Sequence, residues 1–111
     1  MHTVSESAPL VSICIPVYNG EKYLAQALES CIGQTYPNVE IIVCDDRSSD
    51  NSLEVIAALS SPLIRIHQNE KNLGLVGNWK KCIEMAKGEW IKFMFQDDFM
   101  KSDCVSKMME A

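Results

Sequence analysis

Two pairs of adjacent carboxylates stand out in this chain. Asp45-Asp46 follows the apolar run Val39-Glu40-Ile41-Ile42-Val43-Cys44, and Asp97-Asp98 follows Trp90-Ile91-Lys92-Phe93-Met94-Phe95. Carboxylates set against apolar walls cost free energy unless they are paired, hydrogen-bonded or bound to a cation. Their hard oxygens suit Mg2+ or Mn2+, which commonly take one or two carboxylates together with substrate phosphates. Turn chemistry alone also favours Asp at strand ends, so either pair taken singly has two readings. Other chemistries lack their residues. No GxGxxG follows the first apolar run and no GxxxxGK[ST] occurs, which argues against a dinucleotide fold and a P-loop. Ser48 and Ser49 have no histidine base at suggestive spacing, and His2 and His67 have no visible partner.

The carboxylates must be positioned by the segments around them. Four apolar runs alternate with four helix-like stretches. Leu10-Val11-Ser12-Ile13-Cys14-Ile15-Pro16-Val17 is nearly continuous, as expected of a strand covered on both faces. Between Gly20 and Gln34, the residues Tyr23, Leu24, Ala27, Leu28, Cys31 and Ile32 recur at helical spacing. Val39 to Cys44 reads as a second strand, and Leu53, Ile56 and Ala57 mark a helix capped by Asp50 or a neighbouring serine. Leu63 to His67 is a third strand. Asn72-Leu73-Gly74 then makes a loop before a helix from about Gly77 to Lys87, ended by Gly88. Trp90 to Phe95 is the fourth strand, and a last helix carries Val105 and Met108.

Strict strand–helix alternation means a parallel sheet with right-handed crossovers. In such sheets ligands bind outside the carboxyl ends of the strands. Pro16 to Gly20, Asp45 to Asp50, Gln68 to Glu70 and Gln96 to Asp98 therefore share one edge, and both acid pairs lie on it. A receiver-type phosphoaspartate domain shares the alternation, but it needs an aspartate after the middle strand, and here the third strand ends His67-Gln68-Asn69.

At 111 residues the chain is one small domain, with residues 1–9 read as a tail and 10–111 as the domain. Its 47% hydrophobic and 23% charged content excludes a disordered segment, and no apolar run reaches membrane-spanning length. Fifteen acids against ten bases give a formal charge of −5, and no Lys/Arg cluster offers a nucleic-acid surface. A phosphate ligand would need a cation to bridge it to such a protein. The five cysteines form no CxxC pair, which fits a reducing, cytoplasmic setting rather than a disulfide framework.

Several segments together carry a resemblance. Val11-Ser12-Ile13-Cys14-Ile15-Pro16-Val17-Tyr18-Asn19-Gly20, Ser30-Cys31-Ile32-Gly33-Gln34-Thr35-Tyr36 and Glu40-Ile41-Ile42-Val43-Cys44-Asp45-Asp46-Arg47-Ser48-Ser49-Asp50 resemble the start of inverting GT-A-fold glycosyltransferases of the large family 2 class. Asn72-Leu73-Gly74, Ala86-Lys87-Gly88-Glu89-Trp90 and Gln96-Asp97-Asp98 continue it in register over residues 10 to about 100. The resemblance implies an α/β, Rossmann-like three-layer sandwich with a mainly parallel sheet, here in truncated form. It implies the donor-binding half of an enzyme that transfers sugar from a nucleotide-diphosphate-sugar to an acceptor hydroxyl with inversion.

By the same resemblance Pro16, Val17 and Tyr18 line the base, Asp46 accepts from its ring N–H, and Asp45 shapes that turn. Asp97 lies near the ribose or the metal, and Asp98 ligates Mn2+ or Mg2+ bridging the diphosphate. The common DxDD pattern appears here as Phe95-Gln96-Asp97-Asp98, without its leading acid. The implied acceptor is a saccharide or lipid-linked saccharide of cell-envelope polysaccharide synthesis. The catalytic base is expected beyond the C-terminus, and the full-length enzyme in the cytoplasm or peripheral at the inner membrane face. Two readings compete with this one: a non-catalytic nucleotide-sugar-binding module, and a βα signalling domain. Trp90, Phe93, Phe95, Met100, Met108 and Met109 gather near the fourth strand and last helix, so self-association through that end is a further expectation.

Overall fold

Every side chain from Val11 to Val17 is buried, which requires cover on both faces of this strand. The computed structural model, which describes residues 8–110, provides that cover in three layers. Its elements are β1 (Val11–Val17), α1 (Glu21–Ile32), β2 (Val39–Asp45), α2 (Ser52–Leu59), β3 (Ile64–Gln68), α3 (Gly74–Met85), β4 (Trp90–Phe93) and α4 (Cys104–Glu110). The sheet is wholly parallel, in the order β3-β2-β1-β4. Alternate residues divide between its faces. Val11, Ile13, Ile15 and Val17 meet Leu24, Leu28 and Ile56 of α1 and α2, while Cys14, Ile42 and Cys44 meet Cys82 and Trp79 of α3. The expected α/β sandwich is thus present.

The boundary shifts that matter fall in the third helix and the fourth strand; the other strand ends move by at most one residue. The third helix starts at Gly74 rather than near Gly77, and it stops at Met85, so Gly88 is not its cap. Gly88 instead lies against β1, where an added Cβ would come within 2.7 Å of the Leu10 carbonyl and the Ser12 nitrogen. β4 ends at Phe93, because the backbone leaves β1 after the Met94 N–H donates to the Cys14 carbonyl at 3.0 Å. Of the tail read over residues 1–9, only Ala8 and Pro9 fall among the described residues. Both are tied down: the Asn38 amide donates to the Ala8 carbonyl and the Tyr36 hydroxyl to that of Pro9.

The apolar end of the chain is also less open than its composition implies. Trp90, Phe93 and Phe95 are exposed at the β4 edge, but Met100 is buried and Met108 and Met109 pack on the core. Trp79 of α3 meets Phe93 and Phe95 edge to face, with centroids 4.5 and 5.6 Å away, which anchors the chain leaving β4 against α3.

The sheet order carries a functional consequence. From β1 the chain winds outward through β2 to β3, then crosses back to place β4 on the other side of β1. The direction of winding reverses between β1 and β4, and such a switch point opens a crevice at the carboxyl ends.

Candidate functional site

Two loops leave β1 and β2 side by side and are laced together. Asn19 adopts a left-handed conformation (φ 51°) and its side-chain oxygen accepts from the Ser49 N–H at 2.7 Å. The Ser48 hydroxyl accepts from the Asn19 N–H, and the Ser52 hydroxyl from the Gly20 N–H, both at 2.9 Å. Asp45 is fully buried beneath this lacing. Its carboxylate accepts from the Ser48 hydroxyl (2.5 Å) and the Ser48 N–H (3.0 Å), closing a turn in which Arg47 is also left-handed (φ 63°). Asp50 fixes the start of α2. Burial works against its charge, but the Ser52 hydroxyl at 2.6 Å and the Glu21 and Ser52 N–H groups hold its carboxyl below the ordinary value.

Asp46 is the hub of the site. Only 3% exposed, its carboxylate accepts from the Leu73 N–H at 2.7 Å, the Gly74 N–H at 2.9 Å and the Asn69 amide at 2.9 Å. The first N–H groups of a helix have no partner within it; here a carboxylate from β2's end supplies one and suits the positive end of the helix dipole. This explains why α3 begins at Gly74, whose φ of +81° an L side chain rarely adopts. The Asn69 amide also donates to Asn78 at 2.8 Å, and Asn78 donates to the Cys44 carbonyl at 2.8 Å, so three buried polar side chains join β2, β3's end and α3.

Across the crevice, Phe95 to Asp98 form a tight turn closed by the Asp98 N–H to the Phe95 carbonyl at 3.1 Å. Asp97 and Asp98 are both exposed, and the turn separates them. Asp97 joins Pro16, Val17, Tyr18, Asp46 and Arg47 around a cleft of about 560 Å3, with Asn72, Leu75, Asn78, Phe95 and Gln96 completing its walls. Asp98 faces a different groove, beside Lys92, Lys101 and Lys107. Of the residues singled out in the sequence, the structure therefore brings Pro16, Val17, Tyr18, Asp46 and Asp97 together, places Asp45 under the cleft floor, and leaves Asp98 off it.

Sequence reasoning put Arg47 and Gln96 on the strand edge without giving either a role, and it passed over Asn78. Asn78 carried a signal, being a polar residue one turn before the buried Cys82 on the inward face of a helix. Gln96 carried none.

The charge of the cleft bears on what it can hold. Asp46 and Asp97 face a single basic side chain, Arg47. Among the described residues, no three Asp, Glu, His or Cys side chains converge to cage a metal. The exposed Asp97 carboxylate is one hard oxygen donor on the cleft, of the kind that Mg2+ or Mn2+ takes alongside water and substrate phosphate.

Fold and cleft define a class: a parallel α/β domain with a crevice at its switch point, the architecture of GT-A-fold glycosyltransferases. The family model described as glycosyl transferase family 2 matches residues 12–111, and the chain belongs to that family. It is 37% identical over 103 residues to an uncharacterised glycosyltransferase of Haemophilus influenzae, covering 91% of this chain and 41% of that protein. The structure of S. aureus TarS 1-349 in complex with UDP-GlcNAc superposes with a TM-score of 0.84 at 28% identity, over 90% of this chain and 30% of that one. A mannosyltransferase from Pyrobaculum calidifontis, PcManGT, shares the fold with a TM-score of 0.85 at 21% identity, over 92% of this chain and 32% of that one. The chain thus spans less than half the length of these proteins.

Proposed function

We propose that this chain forms the donor site of an enzyme that transfers a sugar from a nucleotide-diphosphate-sugar to an acceptor hydroxyl with inversion, assisted by a divalent cation. The observation that carries the reading is the cleft at the β1/β4 switch point, lined by both the Tyr18 ring and the Asp97 carboxylate. The base enters between Pro16, Tyr18 and the Asp46 floor. Half-exposed, Tyr18 has a ring face free for stacking. Three of the roughly four lone-pair positions on the Asp46 carboxylate are taken by protein N–H groups, which leaves one for a base N–H.

Asp97 holds Mn2+ or Mg2+ in this reading, and Asp98, which lies off the cleft, is not the first ligand. The cation, when bound, offsets the charge of the diphosphate and stabilises it as a leaving group. Arg47 adds a second positive charge on the β2 side. An inverting displacement also needs a base to take the acceptor's proton. The cleft's own acids are committed, Asp46 to three N–H groups and Asp97 to the cation, so that base comes from elsewhere in the enzyme.

A calorimetric titration with UDP and with GDP, each with and without Mn2+, tests the proposal. It predicts nucleotide binding that Mn2+ strengthens. A chain that takes neither nucleotide under any condition contradicts it, and binding indifferent to Mn2+ removes the cation from the account.

A further inference from the structure

Gln96 makes two hydrogen bonds that an ordinary surface glutamine does not. Its Oε1 accepts from the Tyr18 N–H at 2.8 Å, and its Nε2 donates to the Tyr18 carbonyl at 3.1 Å. A trans peptide group cannot make this pair, because its N–H and C=O point opposite ways; the side-chain amide, with oxygen and N–H on the same side, closes both bonds on one residue. The backbone of β4 pairs with β1 only as far as Cys14 opposite Phe93, and the last backbone bond between them goes from Met94 to Cys14. Four residues beyond Cys14, just past the end of β1, the Gln96 side-chain amide ties the two segments together again.

A second observation shows that the fold reserves room for this side chain. Gly20 has φ −106° and ψ 14°, a conformation open to any residue, so its backbone does not require glycine. Its space does. A Cβ on Gly20 would lie 2.6 Å from Gln96 Oε1 and 2.7 Å from Cδ, inside any real contact distance. Gly20 is small where Gln96 must pass.

We propose that Gln96 is a positioning residue that fixes the width of the cleft by locking the Asp97 turn to the backbone of Tyr18, so that cation and base are gripped at a set separation. The proposal rests on the donor-site reading above. Gln96 and Asp97 are adjacent, so a bond made by the first sets the place of the second. Outer residues that orient a metal ligand in this way typically change metal-dependent binding by about 10–100-fold when removed. The glutamine amide supplies acceptor and donor together without a charge, whereas an ionised glutamate of the same length would accept from the Tyr18 N–H but could not donate to its carbonyl.

Two variants of the full chain attack the lock from opposite sides. Gln96→Met keeps the stem and removes both bonds, and Gly20→Ala keeps Gln96 but fills its space. For each, amide hydrogen exchange at Tyr18 reads the lock itself, and UDP titrations with and without Mn2+ read its consequence. We expect Tyr18 exchange to accelerate in both variants and the Mn2+-dependent gain in UDP affinity to fall about tenfold, with Mn2+-free affinity much less affected. A residue that served stability alone would lower the unfolding midpoint without changing the ratio of affinities with and without Mn2+. Unchanged Tyr18 exchange overturns the lock, and faster exchange with an unchanged ratio overturns the positioning role. If the unaltered chain shows no Mn2+-dependent UDP binding, the donor-site reading fails and the positioning role falls with it. If it binds as expected and only the variants match it, the Gln96 assignment alone fails.

Discussion

Replacing Asp46 by Asn is the most informative single change, because it separates a shape-conserving swap from a charge-conserving site. The carboxylate accepts three N–H bonds, at 2.7 Å from Leu73 and at 2.9 Å from both Gly74 and the Asn69 amide. Asparagine has one acceptor oxygen and places an NH2 where the other oxygen stood. In the less costly orientation it keeps Leu73 and Asn69 on the oxygen and turns its NH2 against the Gly74 N–H. One bond to a charged acceptor is then lost, at about 1.5–3 kcal/mol, and two others become neutral, each weaker by about 1 kcal/mol. Some relaxation of the 72–74 loop returns part of this, so we expect a loss of about 2–4 kcal/mol of stability. That is a large share of the roughly 5–15 kcal/mol typical of a domain. Urea unfolding should show a lower midpoint at unchanged slope, and exchange at the Gly74 amide should accelerate. A midpoint shift worth less than about 0.5 kcal/mol, the size of an ordinary surface substitution, would refute the assignment of Asp46 as the cap of α3.

Three further outcomes follow from the same geometry. Gly88→Ala should destabilise the chain by about 1–3 kcal/mol, since the new Cβ meets β1 backbone rather than a yielding side chain; thermal unfolding checks this. Glu40 is bound by the Ser12 hydroxyl at 2.5 Å, the Lys87 N–H at 2.7 Å and Arg65 at 3.0 Å, and although burial opposes its charge these partners hold its carboxyl below its ordinary 4.5. Its contribution is thus fully present above pH 4.5 and lost as pH falls through the lowered value, so Glu40→Gln should flatten the acid limb of a stability–pH curve. Asp97→Ala should abolish the Mn2+-dependent part of UDP binding with the fold intact, whereas Asp98→Ala should retain most of it; calorimetry on the two variants distinguishes them.

The alternation of elements and the sheet edge that collects the acids were readable because each rests on local periodicity and on a general rule of crossover handedness. β1 announced itself through the nearly continuous apolar run from Leu10 to Val17, and Val11 to Val17 are all buried. What the sequence hid were the contacts between distant segments. The start of α3 rests chiefly on a carboxylate 28 residues earlier, at Asp46, and the local Asn72 side chain, which accepts from the same Gly74 N–H at 3.2 Å, only supplements it. Gly88 looked like a helix terminator, yet it is small because β1 passes against it, which only the β1–β4 register reveals. Adjacent acids read alike on paper. In space Asp45 lies under the floor and Asp46 lines it, while a tight turn sends Asp97 to the cleft and Asp98 away. The role of Gln96 appears only when β4 is known to neighbour β1.

The central claim is that a cation and a nucleotide meet in the cleft between Tyr18 and Asp97. Paramagnetic broadening by Mn2+ tests it most directly. With UDP bound to isotope-labelled chain, trace Mn2+ should broaden the amide signals of Asp97, Gln96, Tyr18 and Arg47 first, and Asp97→Ala should remove the effect. Broadening centred instead on Asp98, Asp103 and Lys107, the groove on the other side of the turn, would contradict the account.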